Sequence, residues 1–351
     1  MKIKFSRKAL VAMLAVSALT LSACSSSSDD ASGDIKVSLI LKNQTNPFFV
    51  SMVKGAEAKA AELGLDLTIS SGKEEGDDAA QITAIENAIS AKHAGIVITV
   101  MSTNVNAAIT KAREAGLLVI ALDTPTDPAD IADITFATDN REAGRLIGQW
   151  GAKKLGGQKA VIALLNIFDD RVSPVDYLRD NGFREGMGIP VNDPNKMADE
   201  AKKGKYSGGD YEIVGNVATG ANEDGGRTGM EKLLAKNPNI NIVYTINEPT
   251  AIGACAALKA AKKSAIVVSV DGGLPGIEAV KSGCIGATSQ QYPLRMADIG
   301  LQAIYDLVKT GKKPEVTPGK DFFDTGVTLI TDDPQDGVAS ESTQYGIDNA
   351  W

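Results

Sequence analysis

The stretch GIVITVMSTNVNAAITKAREAGLLVIAL, residues 95–122, decides the fold. Two unbroken apolar runs, 95–100 and 117–122, enclose a segment, 104–115, whose apolar residues recur at helical spacing. Strands without polar alternation are buried on both faces, and a strand–helix–strand unit joins parallel neighbours. The pattern predicts a parallel sheet with helices packed on both sides.

The same rhythm extends in both directions. Upstream, 35–41 and 65–70 read as strands, 79–91 as a helix, and 49–63 as a helix stopped by Gly64. After Asp139 it restarts. Helices are expected at 143–154, 177–186, 226–236, 250–261 and 277–282, and strands at 159–166, 213–217, 240–245, 266–270 and 285–289. Residues 187–210 are polar and read as a surface excursion. Two successive open α/β units predict two lobes. Ligands of such sheets bind at the carboxyl ends of the strands, so the site is expected in the cleft where the lobes face each other.

Composition narrows the function. A chain of 351 residues suits two domains. Apolar residues at 43% and charged residues at 23% exclude a disordered or polytopic membrane chain. Aromatics are only 5%, which leaves Ala, Val, Ile and Leu to build the core. A net charge of -8 argues against nucleic acid as a partner, since that binding depends on Lys and Arg neutralising phosphates. His93 is the one histidine beside three cysteines, so no zinc cluster is expected. The phosphate-loop, dinucleotide, serine-elbow and zinc-protease patterns are missing, and no cofactor or catalytic group is expected. The glycine-rich 219–226 (TGANEDGG) lacks the lysine of a phosphate loop.

The amino end reads as an address. Lys2, Lys4, Arg7 and Lys8 precede an uncharged stretch, 9–21, and then Leu21-Ser22-Ala23-Cys24. A basic start, a short apolar run and small residues before a cut describe a secretory signal. Thirteen residues rise roughly 20 Å as a helix, short of the roughly 30 Å hydrocarbon core. Leu-Ser-Ala-Cys resembles the lipobox of bacterial lipoproteins, which implies a signal peptide over 1–23 and a lipid on Cys24. Residues 24–34 then form a solvated tether, serine-rich and flexible. The expected location is extracytoplasmic, lipid-anchored at the outer face of the cell membrane or periplasmic. Cys255 and Cys284 remain; outside the cytoplasm they either form a disulfide or act as small buried apolar residues.

Several strands end in polar groups: Lys42, then Thr45-Asn46-Pro47-Phe48-Phe49, after the first; Thr99 in the third; Asp123-Thr124-Pro125 after the fourth. In the second half, Arg179 opens RDNGF, Asn247 and Asp271 follow strands, and Gln290-Gln291 ends another. At these residues the chain resembles the substrate-binding proteins of bacterial ABC sugar importers, of the ribose- and fructose-binding type. The matching segments are 46–64 (NPFFVSMVKGAEAKAAELG), 120–125 (IALDTP), 137–140 (ATDN), 179–186 (RDNGFREG), 247–261 (NEPTAIGACAALKAA), 267–272 (VVSVDG) and 287–291 (ATSQQ). Lys42, the Asp-Thr-Pro at 123–125 and the segment 218–222 look closer to fructose-type members.

The resemblance implies a type I periplasmic binding protein: two Rossmann-like lobes, 35–138 plus 292–325 and 139–291 plus 326–351, joined by a three-strand hinge. It implies a monomer that binds a monosaccharide, most readily fructose, with ribose, xylose and mannose as relatives, and hands it to the membrane subunits of an ABC permease. It implies no enzyme. A sensor presenting a sugar-like signal to a membrane receptor is the rival reading. The implied ligand contacts are Lys42, Asn46, Phe48, Phe49, Thr99, Asp123, Arg179, Asn247, Asp271 and Gln291. Their chemistry fits a sugar. An aromatic covers an apolar ring face, carboxylates and a guanidinium make charge-assisted bonds to hydroxyls, and one amide supplies both donor and acceptor. Adjacent helix positions diverge, so one of Phe48 and Phe49 is expected in the site and the other in the core. Members often place a second aromatic near position 220; here Gly220 stands there.

Overall fold

Residues 34–351 are described by a computed structural model; the expected signal peptide over 1–23, Cys24 and the tether that follows it up to residue 33 lie outside the described residues. The first half alternates β1 (Ile35–Leu41), α1 (Pro47–Leu63), β2 (Leu65–Ser71), α2 (Asp78–Ser90), β3 (Gly95–Ile98), α3 (Asn106–Glu114), β4 (Leu118–Leu122) and β5 (Ile134–Ala137). The second runs α4 (Asn140–Lys154), β6 (Ala160–Asn166), α5 (Pro174–Met187), β7 (Lys203–Tyr206), β8 (Gly209–Ala218), α6 (Glu223–Lys236), β9 (Ile242–Thr245), α7 (Glu248–Ala260), β10 (Ile266–Asp271), α8 (Leu274–Lys281) and β11 (Ala287–Gln290). The chain closes with α9 (Pro293–Thr310), β12 (Phe323–Asp324), β13 (Thr328–Ile330) and α10 (Thr343–Asp348).

Two sheets result, ordered β12-β5-β4-β3-β1-β2 and β13-β11-β10-β9-β6-β8-β7. The first is parallel throughout. In the second, only the edge strands β13 and β7 run antiparallel to their neighbours. The chain passes between the sheets three times: after β5, after β11, and between β12 and β13. This is the two-lobed architecture expected from the alternation of strand and helix.

The apolar runs do what their lack of alternation implies. Leu39, Val97, Ile120 and Leu122 face one helical layer of the first sheet, while Ile40, Ile96, Ile98 and Val119 face the other. In the second sheet Ile162 and Leu164 pack on one side, Val161, Ala163 and Leu165 on the other. Each such side chain, taken fully out of water, contributes about 1.5–3 kcal/mol. α1 starts where Asn46 accepts the Phe48 N–H and Pro47 occupies the first turn; it stops at Gly64, whose φ of 65° favours glycine.

The α4 and α5 helices pack unusually close. A methyl at Gly144 or Gly148 would overlap the backbone of Arg179 or Phe183, and one at Gly182 or Gly186 would overlap that of Arg141 or Arg145. These four glycines let the two helices meet backbone to backbone. That contact fixes where α5 presents Arg179.

Two expectations change. The polar stretch 187–210 is not only an excursion: 203–206 forms β7 and pairs with β8. Three of its four residues are exposed and only Tyr206 is buried, so it carries no strand periodicity. The buried Arg184 ties the same stretch back to α5 through Glu200 at 2.9 Å. β5 and the edge strands β12 and β13 were not foreseen; with two to four residues each, they are too short to show a period. Of the two cysteine readings, the disulfide holds: Cys255 and Cys284 are bridged, with Cα atoms 5.9 Å apart.

Candidate functional site

The carboxyl ends of both sheets converge. Asp123 ends β4 with φ 63°, and Asp271 ends β10 with φ 150°. Both are conformations that L-residues rarely adopt, at a cost on the order of 1–3 kcal/mol each, a strain that concentrates at functional sites. Arg179, from the first half of α5, reaches between them. Its Nη2 donates to Asp123 Oδ1 at 3.4 Å, and Nη1 lies 3.8 Å from Asp271 Oδ1. Its Nε donates to Asn140 Oδ1 at 2.8 Å, and Nη1 donates to the Ile246 carbonyl at 2.9 Å. Asn140 Nδ2 in turn donates to the Asp123 carbonyl at 2.8 Å. Gln291 Nε2 donates to Asp271 Oδ1 at 3.0 Å, while Gln291 Oε1 is buried without a partner among the described residues.

Asp123, Arg179, Asp271 and Gln291 thus form one buried network across the two sheets. Burial pushes the Asp271 carboxyl above the usual carboxylate range; the adjoining guanidinium opposes that shift, and the Asp123 charge adds to it. Glu248, behind Asp271, is also raised, by burial first and by Asp271 second. It accepts from the Gly272 and Gly273 N–H groups at 2.8 and 3.1 Å and from Thr288 Oγ1 at 2.7 Å, so it braces the β10–α8 turn.

The remaining expected residues sit nearby but are otherwise engaged. Lys42 is buried and paired with Glu75 at 3.2 Å. Thr99 Oγ1 accepts the Lys42 N–H at 3.0 Å, and its carbonyl accepts from Gln81, which ties β3 to β1. Asn46 caps α1. Asn247 caps α7, accepting from Thr250 N and Oγ1, while its Nδ2 donates to the Ala221 carbonyl at 2.9 Å. Phe48 and Phe49 are both buried in the first-sheet core, edge to face with ring centroids 5.4 Å apart.

A cavity of about 540 Å³ adjoins the network. Asn43, Asn46 and Glu75 line it from the first-sheet side, and Asn222, Glu248 and Asp271 from the second. This volume lies within the range of small-molecule sites, roughly 300–1,000 Å³. Hydrogen bonds also join the two sides directly: Tyr177 Oη donates to Asp127 Oδ2 at 3.1 Å, and Arg171 Nη1 to the Gly76 carbonyl at 2.7 Å. Among the described residues no group of three or more His, Cys, Asp or Glu could hold a metal ion. His93 is occupied in the interior by Ser38, 2.8 Å away.

A buried cation held between carboxylates at opposed strand ends, beside a cavity of this size, describes a ligand clamp. The family described as periplasmic binding protein domain matches residues 37–313. The chain belongs to that family. Its members are binding proteins rather than enzymes, and their place is outside the cytoplasm. The ribose import binding protein RbsB of Haemophilus influenzae is 29% identical over 82% of this chain and 90% of its own length. The D-allose-binding periplasmic protein of Escherichia coli is 26% identical over 84% and 91%. An ABC transporter solute binding protein from Agrobacterium vitis with bound D-fucose superimposes with a TM-score of 0.71 at 25% identity, covering 87% of this chain and all of that one.

Sequence reasoning missed Asn140, Glu75, Glu248 and Trp351. The first lay inside the quoted ATDN turn, and its spacing to Asp139 marked a helix start. Glu248 lay inside the quoted segment 247–261, next to Asn247, while Glu75 showed no sign beyond being one acid among 44.

Proposed function

We infer that this binding protein captures a neutral monosaccharide and delivers it to the permease of an ABC importer. The observation that carries the reading is Arg179: rooted in α5, it bridges to Asp123 on the other sheet while touching Asp271 on its own. Hydroxyls entering among these groups replace carboxylate–guanidinium contacts with charge-assisted bonds to both sides, so the ligand itself favours closure. The lobes are 35–138 plus 292–325 and 139–291 plus 326–351, and the hinge runs through the three passages between the sheets.

Fructose is the sugar suggested by Lys42 and the Asp-Thr-Pro at 123–125. The relatives above are named for ribose and allose, which makes these its chief competitors. Thermal unfolding of the full chain against fructose, ribose, allose, D-fucose, xylose and galactose decides among them. Ligand at a hundred times its dissociation constant adds about 2.7 kcal/mol. The largest shift with fructose sustains that sugar. The largest with ribose or allose replaces it, and no shift with any monosaccharide overturns the reading.

The lipid on Cys24 forms part of the same proposal. Cys24→Ala is expected to move the protein from the membrane fraction into the soluble one. Unchanged membrane association removes the anchor.

A further inference from the structure

The side chain that walls the cavity with an aromatic ring is neither Phe48 nor Phe49. It is Trp351, which lines the cavity beside Asp271 and Gly273. Three interactions hold it there. Trp351 Nε1 donates to the Gln291 carbonyl at 2.9 Å. Five residues earlier, within α10, the Gly346 carbonyl accepts from Gln290 Nε2 at 2.9 Å, so two consecutive glutamines at the end of β11 fasten the segment that carries the indole. The ring then meets Phe48 edge to face, centroids 5.4 Å apart and planes at 85°. The six-membered ring of the indole lies against Gly273, where an added Cβ would come within 2.8 Å of its Cη2.

Gly273 has φ -73° and ψ 157°, a conformation open to any residue. The backbone does not call for glycine there; the indole does. Phe48 belongs to the core of the first sheet, and Gly273 follows β10 of the second. The indole is therefore packed between the two sides of the cleft. It also lines a second crevice, of about 490 Å³, formed by Tyr292, Thr325, Gly326 and other residues where the chain passes between the sheets.

We propose that Trp351 is a specificity-determining contact of the ligand cavity, presenting its ring to the sugar and coupling occupancy to closure through Phe48 and Gly273. The inference rests on the sugar-binding reading above. It supplies the cavity's aromatic surface from the segment after α10, whereas the β8–α6 turn offers Gly220 there. Aromatic packing adds to plain area burial, which is how such a ring discriminates among sugars by the pattern of their C–H faces.

The test compares wild type, Trp351→Phe, Trp351→Ala, Gly273→Ala and the Gly273→Ala/Trp351→Ala double variant by titration calorimetry with the sugar panel, after unfolding midpoints have established that each is folded. Trp351→Ala is expected to bind about tenfold more weakly, and Trp351→Phe to recover most of that loss. Gly273→Ala is expected to weaken binding on its own yet add nothing to Trp351→Ala, because its methyl acts only by displacing the indole. Binding by Trp351→Ala within about twofold of wild type, or a full Gly273→Ala effect in the double variant, overturns the proposal. Small-angle scattering keeps the test open if wild type binds none of the sugars, an outcome that fails the functional reading alone. The proposal then requires Trp351→Ala to be more extended than wild type, and identical scattering curves refute it.

Discussion

The two walls of the cleft carry similar residue types but use them differently. On the first-sheet side, Lys42 is paired with Glu75, Thr99 accepts the Lys42 N–H, and Asn46 caps its own helix. Those groups finish local structure. On the second-sheet side, Asp271 is buried with a raised pKa, Gln291 Oε1 has no partner among the described residues, and Arg179 reaches across to the opposite wall. A satisfied polar group costs little to keep and has little left to give a ligand. An under-satisfied one costs stability and recovers it on binding. The under-satisfied polar groups are therefore concentrated on the second wall, and the first contributes mainly Asp123 to the network.

That asymmetry predicts very different losses from single substitutions. Arg179→Ala strands Asp123 and Asp271 as buried carboxylates without their cation. Removing one partner of a buried pair costs about 3–5 kcal/mol, and the same contact is expected to carry sugar binding. Calorimetry should show sugar affinity falling by about a hundredfold or more, with a lowered unfolding midpoint. Lys42→Met on the opposite wall takes the cation from Glu75, which still accepts from Asn43 Nδ2 at 3.0 Å, and a loss of about tenfold or less is expected. Equal losses from the two variants would erase the distinction between the walls.

How much of this was legible in the sequence follows the same division. The lobes were readable because strands such as 95–98 and 118–122 are apolar without interruption and alternate with helical segments, a pattern that a sheet covered on both faces buries. Asp123, Arg179, Asp271 and Gln291 were readable through strand ends and the family resemblance. Asn247 illustrates the limit. An Asn before Glu-Pro-Thr signals a helix cap and a sugar contact equally well, and the structure shows the cap. Phe48 and Phe49 were read as diverging between site and core, yet both rings pack within the core of the first sheet, edge to face on each other. Trp351 was beyond reach, since its place depends on the segment around α10 folding back onto the end of β11, a contact between residues 60 apart in sequence.

The α4–α5 contact offers a way to disturb Arg179 without touching it. Gly144→Ala places a methyl against the Arg179 carbonyl, which neither helix can accommodate without moving. Overpacking of this kind costs about 1–3 kcal/mol. Because the displaced backbone is the one that carries Arg179, sugar affinity should drop along with the unfolding midpoint. Leu146 packs only partly against the same core, so Leu146→Ala is a control expected to lower stability and leave affinity nearly unchanged. If Gly144→Ala loses stability alone, the helix contact supports the fold without setting the geometry of the clamp.

The smallest expected effect concerns the carboxylates of the second wall. Glu248 and Asp271 are both raised in the folded chain, chiefly by burial, and Asp176 and Asp180 in the same lobe are pushed up to about 7. Unfolded, such groups titrate near pH 4. Between those values the folded chain holds protons that the unfolded chain has released. The stability these groups allow is full below about pH 4 and is lost as pH rises into the neutral range. Urea unfolding at intervals from about pH 4 to about pH 8 should therefore give falling midpoints. Glu248→Gln, which cannot ionise and relieves Asp271 of a neighbouring charge, should flatten that fall by on the order of 1 kcal/mol. An unchanged slope in the variant would mean that Glu248 keeps its charge across the range. The Gly272 and Gly273 N–H groups, together with Arg179 beyond Asp271, would then outweigh the desolvation that burial imposes on the wall.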